Sequence, residues 1–519
     1  MSSMPEREAT QAGRSAETNV AGFLLGNGDP LETAIYFERE QYTYSDIDRA
    51  ARAIAIHLRD AGCSKGERAL LIGTNSFFWV AAYLGTMRAG LVCVPLPPGI
   101  RADDLGEIVA TAEPIAACVE AGAGLRHAPA YGDLNLVTDR RVEHPTARSV
   151  ANLRDLQQRL DARAAWFPPI ATDDLAALVF TSGTTGTSRG VMVSHGNIIA
   201  NTTSIIESLR LSRADRIMMV LPFHYCYGAS LLHTHLRVGG SLVVDSRFMY
   251  VETILERMIE SACTGFAGVP MHFQALLRNS TMRRRQFPSL RYVQQAGGHL
   301  RPALIDELRA ALPAASVFIG YGQTEGTARL SCLPSEMLEA RRGSIGKGLP
   351  GVRLSVLSDA GLRVSPGEVG EIVAEGANVA KGYWRAPEES RATFRDGRLY
   401  TGDLATVDAE GFIYITGRAS DFLKCRGERI ACQRLEDRLL ECDDIVEAAI
   451  VGVPDDALGE AVKAFVVPRT PGDDGVADRL LSFCKCHMPS YLVPKEVVVL
   501  STMPKSDAGK VVKRALGSY

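Results

Sequence analysis

The segment Thr181-Ser-Gly-Thr-Thr-Gly-Thr-Ser-Arg-Gly190 follows the apolar run Leu175 to Phe180 and contains only Thr, Ser, Gly and one Arg. Glycines let such a backbone bend, so its N–H groups and hydroxyls can ring phosphate oxygens while a cation offsets their charge. The Gly-Lys-Ser/Thr of a Walker A loop is missing, and alone the segment also reads as a polar surface loop. Tyr321-Gly-Gln-Thr-Glu325 follows a second apolar run, Ser316 to Ile319. There an aromatic ring can stack on a base, a Thr can donate to phosphate, and a carboxylate can hold Mg²⁺. In Tyr400-Thr-Gly-Asp403 an Asp at a strand–turn edge can accept both hydroxyls of a ribose. Gly417-Arg-Ala-Ser-Asp-Phe-Leu-Lys-Cys-Arg-Gly427 is charged and bounded by Gly, the composition of a hinge. Met503-Pro-Lys-Ser-Asp-Ala-Gly-Lys510 is a Pro/Gly loop presenting lysines, or a solvated basic tail. Singly, most of these are only turns; their order along the chain is the stronger signal.

These segments need elements to position them. Up to about residue 350 the sequence alternates short apolar runs with helical stretches, the pattern of a layered α/β protein. Arg68 to Gly73 leads into Phe77 to Arg88, then Leu91 to Pro95; Arg216 to Leu221, Ser241 to Val244 and Tyr292 to Gln295 repeat the theme. From Val352 the strands Arg353 to Leu357, Gly370 to Val373 and Gly411 to Thr416 are separated by Gly and Asp turns, as in a small β-barrel. Beyond Arg418 a small α+β unit is expected: helices Cys432 to Glu441 and Gly475 to His487, strands Ala448 to Val453 and Glu496 to Leu500. The expected organisation is a disordered lead-in over 1–18, an N-terminal domain over 19–417 with its barrel part at about 352–417, a hinge at 418–423, and a C-terminal domain over 424–519.

Composition narrows the function. At 519 residues, with 46% hydrophobic and 23% charged, the chain has room for several domains with substantial cores. A net charge of -3 argues against a nucleic-acid or anionic-lipid footprint. No apolar run reaches the ~20 residues of a membrane span, and the N-terminus lacks a signal-peptide core. Eleven cysteines at irregular spacing read as free thiols of a reducing cytoplasm, with no Cys-x2-Cys zinc pair. His233 and His235 alternate within an apolar stretch and read as packing. Only ten of the 57 basic residues are lysines, none between Lys65 and Lys347, so a lysine within a motif is more informative than usual.

Taken in order and spacing, the five segments resemble the adenylate-forming superfamily: acyl-CoA synthetases, adenylation domains of peptide synthetases, and luciferases. The resemblance runs from about Asn19 to Leu516. It implies a large N-terminal domain and a small mobile one, working in two reactions with ATP, Mg²⁺ and CoA or a carrier-protein phosphopantetheine. A carboxylate attacks the α-phosphate of ATP, giving acyl-AMP and pyrophosphate; a thiol then displaces AMP. By motif matching, Ser182, Thr184, Thr185 and Arg189 would cradle the β- and γ-phosphates, and Thr324 would meet the α-phosphate. Glu325 would hold Mg²⁺, Tyr321 would stack on adenine beside Gly297 and Gly298, and Asp403 and Arg418 would bind ribose. Lys510 would bridge carboxylate and α-phosphate, then leave as the small domain turns about Ser420 or Asp421, and Lys424 would approach from the mobile side.

Two departures stand out. The phosphate segment ends Ser188-Arg189-Gly190 where relatives have Pro-Lys-Gly; Arg keeps the charge and can bind phosphate through two N–H groups. Cys425-Arg-Gly-Glu-Arg-Ile430 replaces the commoner Ser-Gly-Gly or Tyr-Lys-Gly pattern where the thiol approaches, so the acceptor is open. Leu221-Pro-Phe-His-Tyr-Cys-Tyr-Gly228 resembles the Phe-His-x-x-Gly block of acyl- and aryl-acid ligases, and it lacks the Asp that pairs an amino-acid ammonium. The substrate is therefore expected to be a fatty, aryl or polycyclic carboxylic acid. His224 would lie near its carboxylate, or pack in the core. Tyr225, Gly268, Val269, Pro270 and Ala296 would wall its tail. CoA is favoured as acceptor; an acyl carrier protein, met by the Arg283-Arg284-Arg285 run, is the alternative. A non-catalytic acyl-adenylate-binding protein is the reading of another class, opposed by the retained Lys510, Glu325 and Asp403.

Overall fold

The computed structural model describes residues 18–124, 130–144, 147–160, 167–182, 188–418, 421–425, 428–455, 458–505 and 511–517. Its large part is built on two sheets. Apolar runs such as Arg68–Ile72 and Val92–Leu96 are long enough for a strand and carry no polar face, so they settle as parallel strands covered on both sides. They lie inside a seven-stranded sheet that ends in the antiparallel pair Leu175–Ser182 and Ser188–Ser194. The second sheet has nine strands. Its run Ser316–Tyr321, Tyr292–Gln295, Gly265–Gly268, Arg216–Met219, Ser241–Val244 and Thr33–Phe37 is parallel throughout.

Helices fill the space around the sheets. Phe77–Arg88 is apolar on nearly every side and is buried from Phe78 to Met87. The helix Tyr44–Asp60, which the strand-then-helix pattern passes over, starts on a capping box in which Thr43 and Asp46 satisfy each other's backbone N–H groups. The two helices cross at Gly85, where a Cβ would lie 2.8 Å from the Ala51 carbonyl and 2.9 Å from Ile54 Cβ. The contact is therefore backbone to side chain, with no room for a methyl group. At the N-terminus, the lead-in expected over 1–18 lies outside the described residues except for Thr18. That residue and Asn19 are tied down: Thr18 Oγ1 donates to the Ile170 carbonyl at 2.6 Å, and Asn19 Nδ2 donates to that of Met87 at 3.0 Å.

The barrel-like part is a five-stranded antiparallel sheet of Val352–Leu357, Gly370–Gly376, Phe394–Arg395, Arg398–Val407 and Ile413–Arg418. The C-terminal part has its own five-stranded sheet, including Phe422–Cys425, Ile445–Asp455 and Gly459–Pro468, with the helices Cys432–Leu439 and Val476–His487 packed on it. The thiols of Cys425, Cys432, Cys442 and Cys484 sit in that core as small apolar groups. No helix among the described residues is long and apolar enough to cross a membrane.

Candidate active site

Parallel strands carry their following loops to one edge of the sheet, and in open α/β sheets that edge is where ligands bind. Here the loop after Arg216–Met219 brings His224 and Tyr225, and that after Gly265–Gly268 brings Val269 and Pro270. Tyr292–Gln295 leads into Ala296, Gly297 and Gly298, and Ser316–Tyr321 leads into Thr324 and Glu325. Strand pairing makes the last three loops near neighbours. Gly297 has φ +81°, and a Cβ there would lie 3.0 Å from Val269 Cγ1. A side chain at that point would therefore be strained and would close the gap between the Val269 and Gly297 loops.

Asp403 is held from two directions. Tyr321 Oη donates to Asp403 Oδ2 at 2.7 Å, and Arg418 Nε donates to Oδ1 at 2.9 Å. The sequence suggests a strand–turn edge here, and the structure places Asp403 inside the ten-residue strand Arg398–Val407. Its orientation comes from a bulge: the register against Gly370–Gly376 slips at Thr401–Asp403, where Gly402 takes φ +72°. Asp403 and Arg418 are directly opposite partners on adjacent strands. Burial, then the Asp403 charge, raises the Tyr321 phenol well above its ordinary value, so it stays a donor. Asp403, chiefly, raises Arg418. Each carboxylate oxygen keeps a further lone pair, so Asp403 can still accept from a ligand hydroxyl.

The phosphate segment also differs from a free loop. Ser188–Gly190 belongs to the returning strand, which sets Arg189 opposite Thr181. The outer edge of that strand is paired by the segment carrying Tyr383, through Trp384 N to the Gly190 carbonyl at 2.7 Å. Arg189 thus lies 5.5 Å from the Tyr383 ring centre, and Tyr383 Oη donates to Glu325 Oε1 at 2.8 Å. Nothing in the sequence singles out Tyr383, since its link to Glu325 exists only in the fold. Thr324 Oγ1 donates to Cys226 Sγ at 3.5 Å. Just beyond, Thr327 has φ +68°, with Ala328 N bonded to the Gly326 carbonyl. This is a γ-turn of the rarer hand on a β-branched residue, a strained conformation of the kind found beside functional sites. Thr327 Oγ1 anchors it on the Asn378 carbonyl at 2.6 Å.

Mg²⁺ is commonly held by one or two carboxylates together with phosphate oxygens and water. Glu325, with lone pairs beyond the one taken by Tyr383, fits that role; no cluster of three or more ligand-type side chains exists among the described residues. His224 is buried and lowered to about 4 by desolvation, so it is neutral at pH 7; its Nε2 has no partner among the described residues. His233 and His235 pack as expected, each 2.9 Å from a tyrosine hydroxyl, Tyr83 and Tyr292 respectively.

Thr184, Thr185, Ser420 and Lys510 lie outside the described residues, and Ser182 and Lys424 are described by backbone alone. On either side of Lys510, Lys505 and Val511 pair in an antiparallel β-bridge. Lys513 Nζ holds both oxygens of Asp421 at 2.8 and 2.7 Å and Glu436 Oε1 at 2.6 Å. Lys513 was legible only as a lysine in an arginine-rich chain. The helix Cys432–Leu439 faces the glycine loop of the large part: Arg301 Nη1 donates to the Leu440 carbonyl at 2.7 Å, and His299 lies 3.5 Å from Asp437.

The AMP-binding enzyme family matches residues 26–384, and the AMP-binding enzyme C-terminal domain matches 434–510. A feruloyl-CoA synthase of Amycolatopsis sp is 30% identical over 492 residues, 93% of this chain and 95% of the relative. A sulfoacetate–CoA ligase of Cupriavidus necator is 33% identical over 468 residues, 88% of each chain. Among solved structures, O-succinylbenzoate coenzyme A synthetase of Bacillus subtilis in complex with ATP and magnesium ion superposes with a TM-score of 0.83 at 25% identity, over 96% of this chain and 99% of that one.

Proposed function

This chain belongs to the AMP-binding enzyme family, and from that premise we propose that it is an ATP-dependent acid–thiol ligase, an AMP-forming acyl-CoA synthetase. The observation that carries the reading is the Tyr321–Asp403 hydrogen bond. It joins the antiparallel sheet to the strand that leads into Thr324 and Glu325, which supports reading Asp403 as a ribose acceptor beside phosphate and Mg²⁺ ligands. Asp403 accepts the ribose hydroxyls, with Arg418 beside it. Tyr321, Gly297 and Gly298 flank the adenine. Ser182, Thr184, Thr185 and Arg189 hold the β- and γ-phosphates; Thr324 donates to the α-phosphate. When bound, Mg²⁺ on Glu325 supplies positive charge to the phosphate oxygens. The first reaction presses a carboxylate against a polyanion, so fixed cations and donors lower its barrier. Lys510 adds charge between carboxylate and α-phosphate. Pyrophosphate leaves, the small domain turns about 418–423, and the CoA thiol displaces AMP from the acyl carbonyl.

Tyr225, Gly268, Val269, Pro270 and Ala296 line the acid's tail, with neutral His224 near its carboxylate. Relatives that act on feruloyl and sulfoacetate groups support a carboxylic acid that is not an α-amino acid. CoA is favoured over a carrier protein because two of the three arginines of the basic run are already engaged by carboxylates. Arg283 pairs with Glu307, and Arg285 with Glu252 and Glu256. Eleven free cysteines support a reducing, cytoplasmic setting. The test is a pyrophosphate-release screen over fatty, aryl and polycyclic acids, with and without CoA. Acid-dependent release, with thioester only when CoA is present, is expected. Nucleotide binding with no acid-dependent release would sink the enzyme reading.

A further inference from the structure

Arg329 is only 2% exposed and ranks among the largest fully buried side chains of the protein. Its Nη2 donates to Gln294 Oε1 at 3.0 Å, and its guanidinium carbon lies 5.1 Å from the Tyr227 ring centre. The fold makes room for it at Gly320, where a Cβ would come within 2.4 Å of Nη1. Among the described residues no carboxylate pairs with it. Less deeply buried cations do better: Arg88, Arg257 and Lys463 hold Asp48, Asp245 and Glu496. Nor do the neighbours supply negative charge. Burial pushes the Tyr227 phenol up to about 12, with Arg329 pulling the other way, and burial also raises the Cys332 thiol. Beside the guanidinium, Gln294 Nε2 is buried with no partner among the described residues. A buried cation facing only neutral groups is expensive, and such a charge is retained where an anion comes to meet it.

The place of this charge says which anion. Tyr227 is half-buried and stands between Arg329 and the loop 296–298, which gives Ala296 to the acyl pocket and Gly297 and Gly298 to the adenine. A Cβ on Gly297 would lie 4.0 Å from Tyr227 Cδ1, while Tyr227 Oη donates to the Gln294 carbonyl at 3.1 Å. The preceding residue, Cys226, accepts from Thr324 Oγ1. One aromatic ring therefore separates the guanidinium from the loop that carries Ala296 and that packs at Gly297 on Val269, two residues assigned to the wall of the acid's tail. We propose that Arg329 is a specificity-determining residue, its guanidinium and Gln294 Nε2 forming an anion subsite beneath the acyl pocket that selects an acid bearing a second oxyanion at its far end. This rests on the ligase reading and names its substrate class. The Tyr227 ring moves aside to admit the distal group, which accepts from Arg329 and from Gln294.

The test pairs acids of equal size with one or two oxyanions, octanoate against octanedioate and benzoate against terephthalate. Each is measured by pyrophosphate release and by thermal shift in the wild type, Arg329→Met and Arg329→Lys. The wild type should prefer the diacid of at least one pair by tenfold or more in kcat/KM. Arg329→Met should lose that preference, Arg329→Lys should keep part of it, and the diacid should raise the Tm of the wild type but not of Arg329→Met. Because Arg329→Met removes a charge lacking a counter-ion, the apo Tm should hold or rise; a purely structural arginine would lower it. Equal use of mono- and diacids by the wild type, or a ratio unchanged in Arg329→Met, overturns the subsite, and the wild-type ratio decides even if that variant does not fold. Release with none of these acids counts against the ligase reading, and the diacid thermal shift then decides the subsite alone.

Discussion

The large and small domains differ in the titratable groups they bury. In the large domain several histidines are kept neutral inside the core: His195, His224 and His235 are each lowered to about 4, chiefly by desolvation. In the small domain a buried carboxylate stays within a charged node: Glu436 meets Lys513, which also holds Asp421, and accepts from Ile450 N at 2.8 Å. The large domain fixes Asp403 and Glu325 by strand register and by hydrogen bonds from Tyr321, Arg418 and Tyr383, the preorganisation a charge-stabilising site requires. The small domain uses ion pairs to tie the start of its final helix, Lys513–Leu516, to Asp421 and Glu436.

Acid should separate the two domains, and this is the largest effect expected. A histidine lowered in the folded state binds its proton first in the unfolded chain. Stability therefore falls as pH drops from the unfolded value near ~6.5 toward about 4. At ~1.4 kcal/mol per unit, several such histidines together cost a few kcal/mol at about pH 5. Glu436 has the opposite sign: burial raises it, so protonation on acidification is easier in the folded state. Hydrogen exchange at pH 7.5 and 5 should show protection lost first in the large domain. Loss confined to the small domain would overturn the comparison.

Next in size is Lys510→Ala. Acyl-AMP formation should fall by about a thousandfold, ~4 kcal/mol of barrier, while thiolation of supplied acyl-AMP largely survives. Single-turnover assays of each half-reaction measure this directly. Equal losses in both would mean that the lysine does not alternate between them.

Both predictions bear on what was legible in the sequence. Short apolar runs such as Arg68–Ile72 and Tyr292–Gln295 declare themselves, because a strand buried on both faces leaves no polar position. The segments around Glu325 and Asp403 are also legible, since each joins a chemical group to glycines that shape its backbone. Partnerships are not. Tyr383 meets Glu325 across 58 residues, and Lys513 meets Asp421 across 92. Arg329 looks like any other arginine of an arginine-rich chain until its burial is known. At Asp403 the sequence suggests a strand–turn edge and the structure has a bulge within one strand, because a bulge and a turn share the same Gly signature.

A smaller effect is expected at the charged node. Lys513→Met leaves Asp421 and Glu436 without their cation and loosens the segment that carries Lys510. Adenylation should drop by about tenfold, ~1.4 kcal/mol, with thiolation of supplied acyl-AMP nearly unchanged. Lys513→Arg should recover most of the loss. A matched fall in both half-reactions would mean that the node only supports folding of the small domain.

The smallest effect should come from Arg189→Lys. Arg189 is fixed by its strand position opposite Thr181 and lies over Tyr383, whose hydroxyl is engaged by Glu325. Its backbone is held by strand pairing on both sides, which keeps the guanidinium against the Tyr383 ring. A lysine keeps the charge and loses the planar contact with the ring, a cation–π term of about 0.5–1 kcal/mol at an accessible site. Pyrophosphate release should therefore stay within about tenfold of the wild type, ~1.4 kcal/mol, with KM for ATP moving more than kcat. A hundredfold loss, concentrated in kcat, would mean that the guanidinium makes a two-point contact formed only in the transition state. The large domain would then also place its phosphate cation by specific side-chain geometry as well as by strand register.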